Sequence, residues 1–323
     1  MKQLLVTFRE GAEHISCDGK FVMVRSSDGG KTWGNRLVLR EYAHTDERDG
    51  SIAQLSDGVV MANQSVLIGY DGEGHFHGPM HETYKGRPPG IYIGRSNDRG
   101  RTWAWGEKPS IFEPFILAFS SERIVEHPSG RLLMANYIVP GSGTDRHATA
   151  FLGHASSIAY CSDDRGKTWR FLSTIGDIPN GVVLEPALAC SDTGRLICLM
   201  RTGSRDGDEY MQAISDDAGE TWTPVRPSGI PGRRNPASML CLDDGRILCV
   251  YGSRGDPGGL YVVDSHDDGE TWDMECRGVI RDDFLNWDSC YPSTIRLPDG
   301  RFFVTYYFNM FERFFIGGSL FEW

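Results

Sequence analysis

The sequence predicts an all-β protein, a six-bladed β-propeller of four-stranded antiparallel sheets that occupies residues 1–323 as a single domain. An eight-residue pattern, Ser-x-Asp-x-Gly-x-Thr-Trp, recurs at 26–33, 96–103, 162–169, 215–222 and 265–272. A second pattern alternates with it and consists of two β-rich runs joined by a turn that ends in glycine. The 39 glycines and 16 prolines suit many short strands and turns. Repetition of small antiparallel sheets around an axis is typical of a propeller.

The hairpin turns give the order of the units. Their glycines are Gly58, Gly130, Gly194, Gly245 and Gly300. Together with an opening unit that contains LLVTFRE and KFVMVRS, they make six units. The first unit lacks its innermost strand, and the last lacks an eight-residue repeat and a fourth strand. Either the ring closes in an unusual way or the natural chain starts upstream of Met1.

The eight-residue repeat is interpreted as architecture rather than chemistry. Asp accepts backbone N–H groups, Gly takes positive φ, and the Ser and Thr hydroxyls satisfy local polar groups, as a tight turn requires. Strand direction puts every copy on the face of the hairpin turns, here called the bottom. Function is therefore expected on the opposite face, here called the top.

Polar residues recur where the innermost strands begin at the top. Nine residues before a hairpin glycine stand Asp49, Ser121, Glu185, Pro236 and Tyr291. At about 3.3 Å per residue, nine residues reach the top from the bottom turn. Arg201 lies seven residues after Gly194, and superposition of LLVTFREG on LICLMRTG gives Arg9 the equivalent place. These groups line either a catalytic pocket or simply a wet central channel.

These placements resemble those of the retaining sialidases, which are six-bladed propellers. The resemblance is carried by VLEPALACSDTGRLICLMR (183–201) and CYPSTIRLPDGRFFVTYY (290–307). It implies a Tyr291 nucleophile, activated by Glu185 as its base, and a carboxylate clamp that includes Arg201. A neutral phenol suits a substrate whose anomeric carbon carries a carboxylate.

The resemblance leaves other site residues open. The family has three arginines, and the first belongs on the strand that is missing here, so either Arg9 substitutes for it or it belongs to sequence upstream of Met1. Arg254 is the expected third arginine, with Arg234 as the alternative. Asp18 is the expected acid/base, with Asp49 as its competitor by register. His14, close to Arg9 in the sequence, is either a site residue or a structural one.

Composition excludes several function classes. A net charge of −11 disfavours a nucleic-acid partner, and no apolar run is long enough to span a membrane. The opening segment MKQLLVTFRE is short and carries charges early, which is not typical of a signal peptide. The eight cysteines contain no CxxC pair, so they are expected to be thiols in the core. Both observations predict a cytoplasmic protein. No cofactor is expected. His75, His77 and His81 are interpreted as solvated or sugar-facing rather than as metal ligands.

Three functions remain open at this stage. The first is an exo-acting retaining glycosidase that resembles an exo-α-sialidase and takes a sialoside or another acidic glycan. The second is a propeller enzyme that acts on a different acidic sugar, by hydrolysis or by elimination, as a uronide hydrolase or polysaccharide lyase does. The third is a non-catalytic sugar-binding propeller, which would have no need of a base beside a phenol.

Overall fold

The computed structural model describes residues 3–76, 88–111, 116–120, 122–140, 154–203, 209–232, 234–254 and 258–323. The regular elements in these ranges are all β-strands, grouped into six antiparallel sheets. The described ranges contain no helix that is long and apolar enough to cross a membrane. The predicted all-β, six-bladed propeller is confirmed, and the sheets are called blades 1 to 6 in chain order.

The strands of blades 1 to 3 follow the predicted alternation of hairpins and eight-residue repeats. Blade 1 contains β1 (Leu4–Glu10), β2 (Lys20–Ser26) and β3 (Gly34–Arg40). Blade 2 contains β4 (Asp46–Gln54), β5 (Val60–Leu67), β6 (Gly90–Ser96) and β7 (Ala104–Trp105). Blade 3 contains β8 (Ile116–Ser120), β9 (Val125–Glu126), β10 (Leu132–Pro140), β11 (Ser156–Ser162) and β12 (Arg170–Gly176).

Blades 4 to 6 continue the same order. Blade 4 contains β13 (Val183–Cys190), β14 (Leu196–Thr202), β15 (Glu209–Ser215) and β16 (Arg226–Pro231). Blade 5 contains β17 (Ala237–Cys241), β18 (Ile247–Ser253), β19 (Gly258–Ser265) and β20 (Gly278–Phe284). Blade 6 contains β21 (Cys290–Arg296), β22 (Phe302–Met310) and β23 (Arg313–Phe321).

Blades 1 and 6 have three strands each, as the sequence predicted for the two ends of the chain. Apolar side chains join these blades: Leu4 of β1 packs in one cluster with Leu297 and Phe303 of blade 6. The ring of Trp33 stacks on that of Phe303, with 5.9 Å between their centroids. Within the described chain no strand is shared between the two blades, so side-chain packing closes the ring.

The inner edge of blade 3 differs from the expected continuous strand. Both β8 and β9 pair with β10, and the inner edge is interrupted between them. Arg123 lies just before β9 and donates to the carbonyl oxygens of Thr294 at 2.8 Å and Met239 at 2.5 Å. This side chain therefore ties blade 3 to blades 5 and 6 across the centre, a long-range contact that no local pattern predicts.

The eight-residue repeats form the turns that the sequence predicted. In the fourth repeat, the Asp217 carboxylate accepts hydrogen bonds from the Ser215 hydroxyl at 2.8 Å, the Thr221 amide at 2.9 Å and the Thr221 hydroxyl at 2.5 Å. The same bonds recur in the other four repeats. Arg131, beside a hairpin turn, donates to Glu220 of this repeat at 2.7 Å, which puts repeats and hairpin turns on one face.

Apolar clusters fill the spaces between neighbouring blades and hold the cysteines. Cys198 and Cys249 are fully buried in two of these clusters. All eight cysteines lie in the described part of the chain and none is in a disulfide. Burial raises the pKa of the Cys198 and Cys249 thiols, so these two act as small apolar groups.

Candidate active site

Three residues that the register argument selected share an unusual backbone conformation. Asp49, Glu185 and Tyr291 have φ angles of 47°, 45° and 55°. Each lies at a break in the register with which β4, β13 or β21 pairs with the next strand of its blade. A non-glycine residue in this region is strained, and such strain and bulges concentrate at functional sites, where they re-aim side chains. At the top of the propeller, the inner strands of blades 2, 4 and 6 therefore share the same irregularity, a residue with positive φ at a break in strand register.

Glu185, Arg201 and Tyr291 form a compact hydrogen-bonded group. The Tyr291 hydroxyl donates to Oε1 of Glu185. Nη1 of Arg201 donates to Oε2 of Glu185 at 2.7 Å and to the Tyr291 oxygen at 3.2 Å. The side chains of Glu185 and Arg201 are only 9% and 17% exposed. A phenol thus sits between a carboxylate that can take its proton and a cation that stabilises the resulting negative charge.

The electrostatics of Tyr291 keep its phenol protonated at rest. Burial raises the pKa of Tyr291 well above the usual range and the Glu185 charge raises it further, while Arg201 and Arg254 pull it down. The phenol therefore loses its proton only when a reaction drives the transfer, and Glu185 is already hydrogen-bonded to receive it.

Arg254 of blade 5 lies next to this group through a second tyrosine. Its Nη2 donates to the Tyr307 hydroxyl at 3.2 Å and lies 3.8 Å from Oδ1 of Asp288. The Tyr307 hydroxyl donates to Asp288 at 2.6 Å, and the rings of Tyr307 and Tyr291 are 5.6 Å apart. Nη1 of Arg254 donates to the backbone carbonyl of Arg234 at 3.1 Å, while the Arg234 residue itself is exposed. Of these two arginines, Arg254 is the one beside the phenol.

Arg9 is held by a buried carboxylate. Its Nε and Nη2 donate to the two oxygens of Asp46 at 2.5 and 3.0 Å. Two further N–H groups of Arg9 donate to the Glu13 carbonyl at 2.9 Å and the Ser16 hydroxyl at 3.0 Å. The Asp46 side chain is fully buried, so its pairing with Arg9 is shielded from water. The guanidinium of Arg9 is committed to the protein itself.

Arg48 and Asp49 bring blade 2 to the site. Nη1 of Arg48 donates to the His14 carbonyl and lies 3.3 Å from Oδ2 of Asp46, while its Nε lies 3.8 Å from Asp49. Burial raises the pKa of Asp49, Arg48 opposes that rise, and the Glu185 charge adds to it. A carboxyl group with a raised pKa is suited to donate a proton near neutral pH.

Asp18 and His14 lie in the top loop of blade 1. Oδ1 of Asp18 accepts hydrogen bonds from the Ser16 hydroxyl at 2.5 Å and the Ala12 amide at 3.2 Å, and the Ser16 bond holds the Asp18 pKa below its usual range. His14 is exposed at the surface, yet its pKa is lowered, first by partial burial and then by the Arg48 charge. Of the two candidate acids, only Asp49 has its pKa moved in the direction that proton donation needs.

Sequence reasoning missed several residues around this site: Asp46, Arg48, Tyr137, Asp288 and Tyr307. Burial raises the pKa of the Tyr137 phenol well above its usual range, and the charges of Asp49 and Glu185 raise it further. Asp46 and Arg48 lie within three residues of Asp49, so inspection of the residues flanking each strand start would have found them.

A candidate metal cluster lies away from this group. Asp264, His266 and Asp273 are close enough to share an ion, but Oδ2 of Asp264 already accepts bonds from Arg246 at 2.8 Å and Trp323 at 3.0 Å. That neighbouring guanidinium disfavours a cation. His77 and His81, in the histidine-rich loop, lie outside the described residues. His75 is described: its side chain is 68% exposed, and its Nδ1 lies 3.3 Å from Oδ2 of Asp71.

Known proteins resemble this chain over nearly its whole length. A protein of unknown function from Dyadobacter fermentans superimposes with a TM-score of 0.79 at 24% identity, over 99% of this chain and 91% of that one. The NanB sialidase of Streptococcus pneumoniae superimposes with a TM-score of 0.70 at 15% identity, over 99% of this chain and 66% of that one.

Sequence similarity points to the same group. A sialidase of Micromonospora viridifaciens is 24% identical in an alignment 308 residues long, which covers 87% of this chain and 44% of that protein, so the chain spans less than half of that relative. The model of the BNR repeat-like domain matches residues 80–304. This chain therefore belongs to the BNR repeat-like family, and its six-bladed propeller fold is similar to that of the sialidase of known structure.

Proposed function

We propose that the protein is a retaining, exo-acting glycosidase that releases a terminal acidic sugar, a sialic acid or a close relative, with Tyr291 as its nucleophile. The hydrogen bond from the Tyr291 phenol to Glu185, with Arg201 bridging both, is the observation that carries the proposal. The similarity to sialidases supports a glycosidase at the level of the family.

The first half of the reaction forms a covalent glycosyl-enzyme. The Tyr291 oxygen attacks the anomeric carbon while the phenol proton moves to Glu185. The bond from that carbon to the leaving oxygen breaks, and Asp49 gives its proton to the leaving oxygen. A neutral phenol approaches a carbon that carries a carboxylate without the repulsion that an anionic nucleophile would meet.

The second half restores the enzyme. Asp49, now ionised, takes a proton from water, and the water oxygen bonds to the anomeric carbon. The bond to the Tyr291 oxygen breaks, and the phenolate recovers its proton from Glu185. Two displacements at one carbon give net retention.

Arg201 and Arg254 are the arginines proposed to hold the substrate carboxylate. They come from neighbouring blades, and both hydrogen bonds of Arg201 within the described chain use Nη1, which leaves its other N–H groups available. Arg9 contributes indirectly, because Asp46 occupies it. A clamp of two arginines leaves a second candidate function open, an enzyme for a smaller acidic sugar such as a uronide.

The decisive experiment is a panel of fluorogenic glycosides that compares sialosides, uronides and neutral sugars with the Tyr291→Phe variant as control. Turnover of the sialoside, lost in the variant, supports the proposal. Turnover of uronides alone replaces it with the second candidate. Silence across the panel, with the protein folded, contradicts catalysis and favours a sugar-binding role.

A 2,3-difluoro acidic sugar tests the nucleophile directly. Its fluorines slow the breakdown of the glycosyl-enzyme, so its mass should remain on the peptide that contains Tyr291. A label on Asp18 or Asp49 would replace the tyrosine mechanism with a carboxylate one.

A further inference from the structure

Glu122 and Arg123, which form the central brace, lie between β8 and β9 of blade 3 and contact three other blades at the centre of the propeller. The Glu122 carbonyl accepts hydrogen bonds from the Ser51 hydroxyl at 2.8 Å and from Nδ2 of Asn63 at 3.1 Å. Asn63 is fully buried and Glu122 is 5% exposed, so water competes little for these bonds. Ser51 lies on β4, two residues after Asp49. The brace therefore holds the strand that carries the proposed proton donor.

Arg123 holds the strand that carries the proposed nucleophile. Its guanidinium donates to the carbonyl oxygens of Met239 at 2.5 Å and Thr294 at 2.8 Å. Thr294 lies on β21, three residues after Tyr291, and its amide donates to the Ser238 hydroxyl at 3.1 Å. Thr294 and Ser238 are buried. The backbone of β21 is thus bound from blades 3 and 5 close to the nucleophile.

Asp49 and Tyr291 need such support because both are strained. Their φ angles are 47° and 55°, and a non-glycine residue keeps such a conformation only where the surrounding structure holds it. The brace binds each strand within three residues of the strained position. Tyr291 and Glu185 also bond to each other directly, whereas among the described residues no hydrogen bond joins Asp49 to either of them. The distance from Asp49 to Tyr291 is therefore fixed through the strands.

We propose that the central brace sets the separation between Asp49 and Tyr291, so that Glu122 and Arg123 are positioning residues for proton transfer to the leaving group. This inference rests on the proposed function. In a retaining reaction the nucleophile attacks the anomeric carbon while the acid protonates the leaving oxygen, so the two groups must stand on opposite sides of that carbon. Without the brace, Tyr291 keeps its bond to Glu185, but the proton donor is displaced from the leaving oxygen.

Two leaving groups that differ in their need for a proton test this role. The same acidic sugar is used as a methyl glycoside, whose leaving oxygen must be protonated, and as a 4-methylumbelliferyl glycoside, whose phenolate leaves unaided. Arg123→Met should lower kcat for the methyl glycoside by roughly tenfold or more and change kcat for the other by less than about threefold. KM for both should stay within about twofold, because the clamp of Arg201 and Arg254 is intact. Arg123→Lys retains a donor for one carbonyl and should recover part of the lost kcat.

Arg95→Met is the matched control, because Nη1 of Arg95 also donates to a backbone carbonyl of another blade, that of Arg165 at 2.9 Å, but on the bottom face. It should leave kcat for both glycosides within about twofold of the parent, even where the melting temperature falls as far as in Arg123→Met. Ser51→Ala removes one contact of the brace with a smaller change of structure. It should show the same difference between the two glycosides, and it decides the test if Arg123→Met does not fold.

Covalent labelling gives a second readout, one that does not require the proton donor. A 2,3-difluoro acidic sugar releases fluoride without protonation, so folded Arg123→Met and Ser51→Ala should label Tyr291 at within about threefold of the parent rate. Equal losses on both glycosides, a change confined to KM, or no loss in a folded brace variant would overturn the brace and leave the proposed function intact. A parent protein that hydrolyses neither glycoside and takes no label would overturn the proposed function, and the catalytic role of the brace with it.

Discussion

The Tyr291 phenol donates a hydrogen bond to Glu185 although the two residues are 106 positions apart in the chain. They begin the inner strands of blades 6 and 4, and their side chains meet because both blades present the same bulged strand start toward the centre. A carboxylate that already accepts the phenol proton is poised to act as its base.

This pair predicts non-additive losses. Tyr291→Phe and Glu185→Gln should each lower kcat by several orders of magnitude, and the double variant should cost little more than either, because the two act as one unit. Tyr291→Phe keeps the ring and its packing, so thermal melting should confirm a folded protein. Losses that multiply in the double variant would separate the residues into independent roles.

Lysine substitutions of Arg201 and Arg9 are predicted to have different effects, because the two guanidinium groups have different partners. Arg201→Lys keeps the charge but loses the fork, so KM for an acidic glycoside should rise at least tenfold, about 1.4 kcal/mol. Arg9→Lys should instead lower the melting temperature with a smaller change in KM, because Asp46 occupies this guanidinium with two hydrogen bonds. Steady-state kinetics and melting of both variants check this. A larger KM effect from Arg9→Lys would return that residue to the clamp.

The fold could be predicted because its signals are local. A turn that needs positive φ favours glycine, and the hairpin glycines Gly194 and Gly300 have φ of 91° and 90°. Counting back nine residues from each reaches Glu185 and Tyr291, because strand rise is nearly constant. Counting residues from the turn therefore predicts where a residue lies along its strand, and whether it lies at the top or the bottom of the propeller.

The partners of the site residues could not be predicted in the same way. Register gives Arg9 a place near the centre, but only the folded chain brings it to Asp46, 37 positions away. Tyr307 is similar: it ends one run of blade 6, and its contact with Arg254 depends on how two blades pack. Arg123 likewise contacts two distant blades through backbone carbonyls, which carry no sequence signature.

The eight-residue repeats are predicted to affect stability and not turnover. Asp217→Ala removes hydrogen bonds to Ser215 and Thr221, so the free energy of unfolding should fall by about 1–2 kcal/mol, as for a lost turn or helix cap. The neighbouring Asp216→Ala is the control and should cost less, because Asp216 accepts bonds from the Arg195 side chain at the surface, whereas Asp217 accepts bonds that hold the turn. Denaturant unfolding and kcat of both variants test this. A large loss of kcat in folded Asp217→Ala would put chemistry on the bottom face.

Glu122 predicts a pH dependence of stability. Burial raises the pKa of this carboxyl from 4.5 to about 7, while the neighbouring Arg123 opposes the rise. Because the pKa is raised in the folded state, protonated Glu122 favours folding. This contribution to the free energy of unfolding is complete below about pH 4.5 and is lost as pH rises through 7. Glu122→Gln should therefore be more stable than the parent at pH 8, by at most about 3 kcal/mol.

Denaturant unfolding at pH 5 and pH 8 measures this effect, and Glu107→Gln, at an exposed glutamate, is the control. The difference between Glu122→Gln and the parent should grow between the two pH values, whereas the control should follow the parent. Parallel pH profiles for all three proteins would contradict a buried, protonated Glu122.

The pKa of the proposed proton donor, Asp49, is predicted to depend on Asp46, a residue that does not touch the substrate. Asp49 must be protonated to serve the leaving group, so kcat/KM should fall as pH rises through its pKa. Burial raises that pKa, Arg48 lowers it, and Glu185 and Asp46 raise it. Asp46→Asn removes a negative charge that raises the pKa of Asp49, so that pKa should fall and the alkaline limb of the kcat/KM profile should move to lower pH. Asp18→Asn is the control. If Asp49 is the acid, the alkaline limb of the kcat/KM profile should lie at the same pH in this variant as in the parent. Abolished activity would instead identify Asp18 as the proton donor.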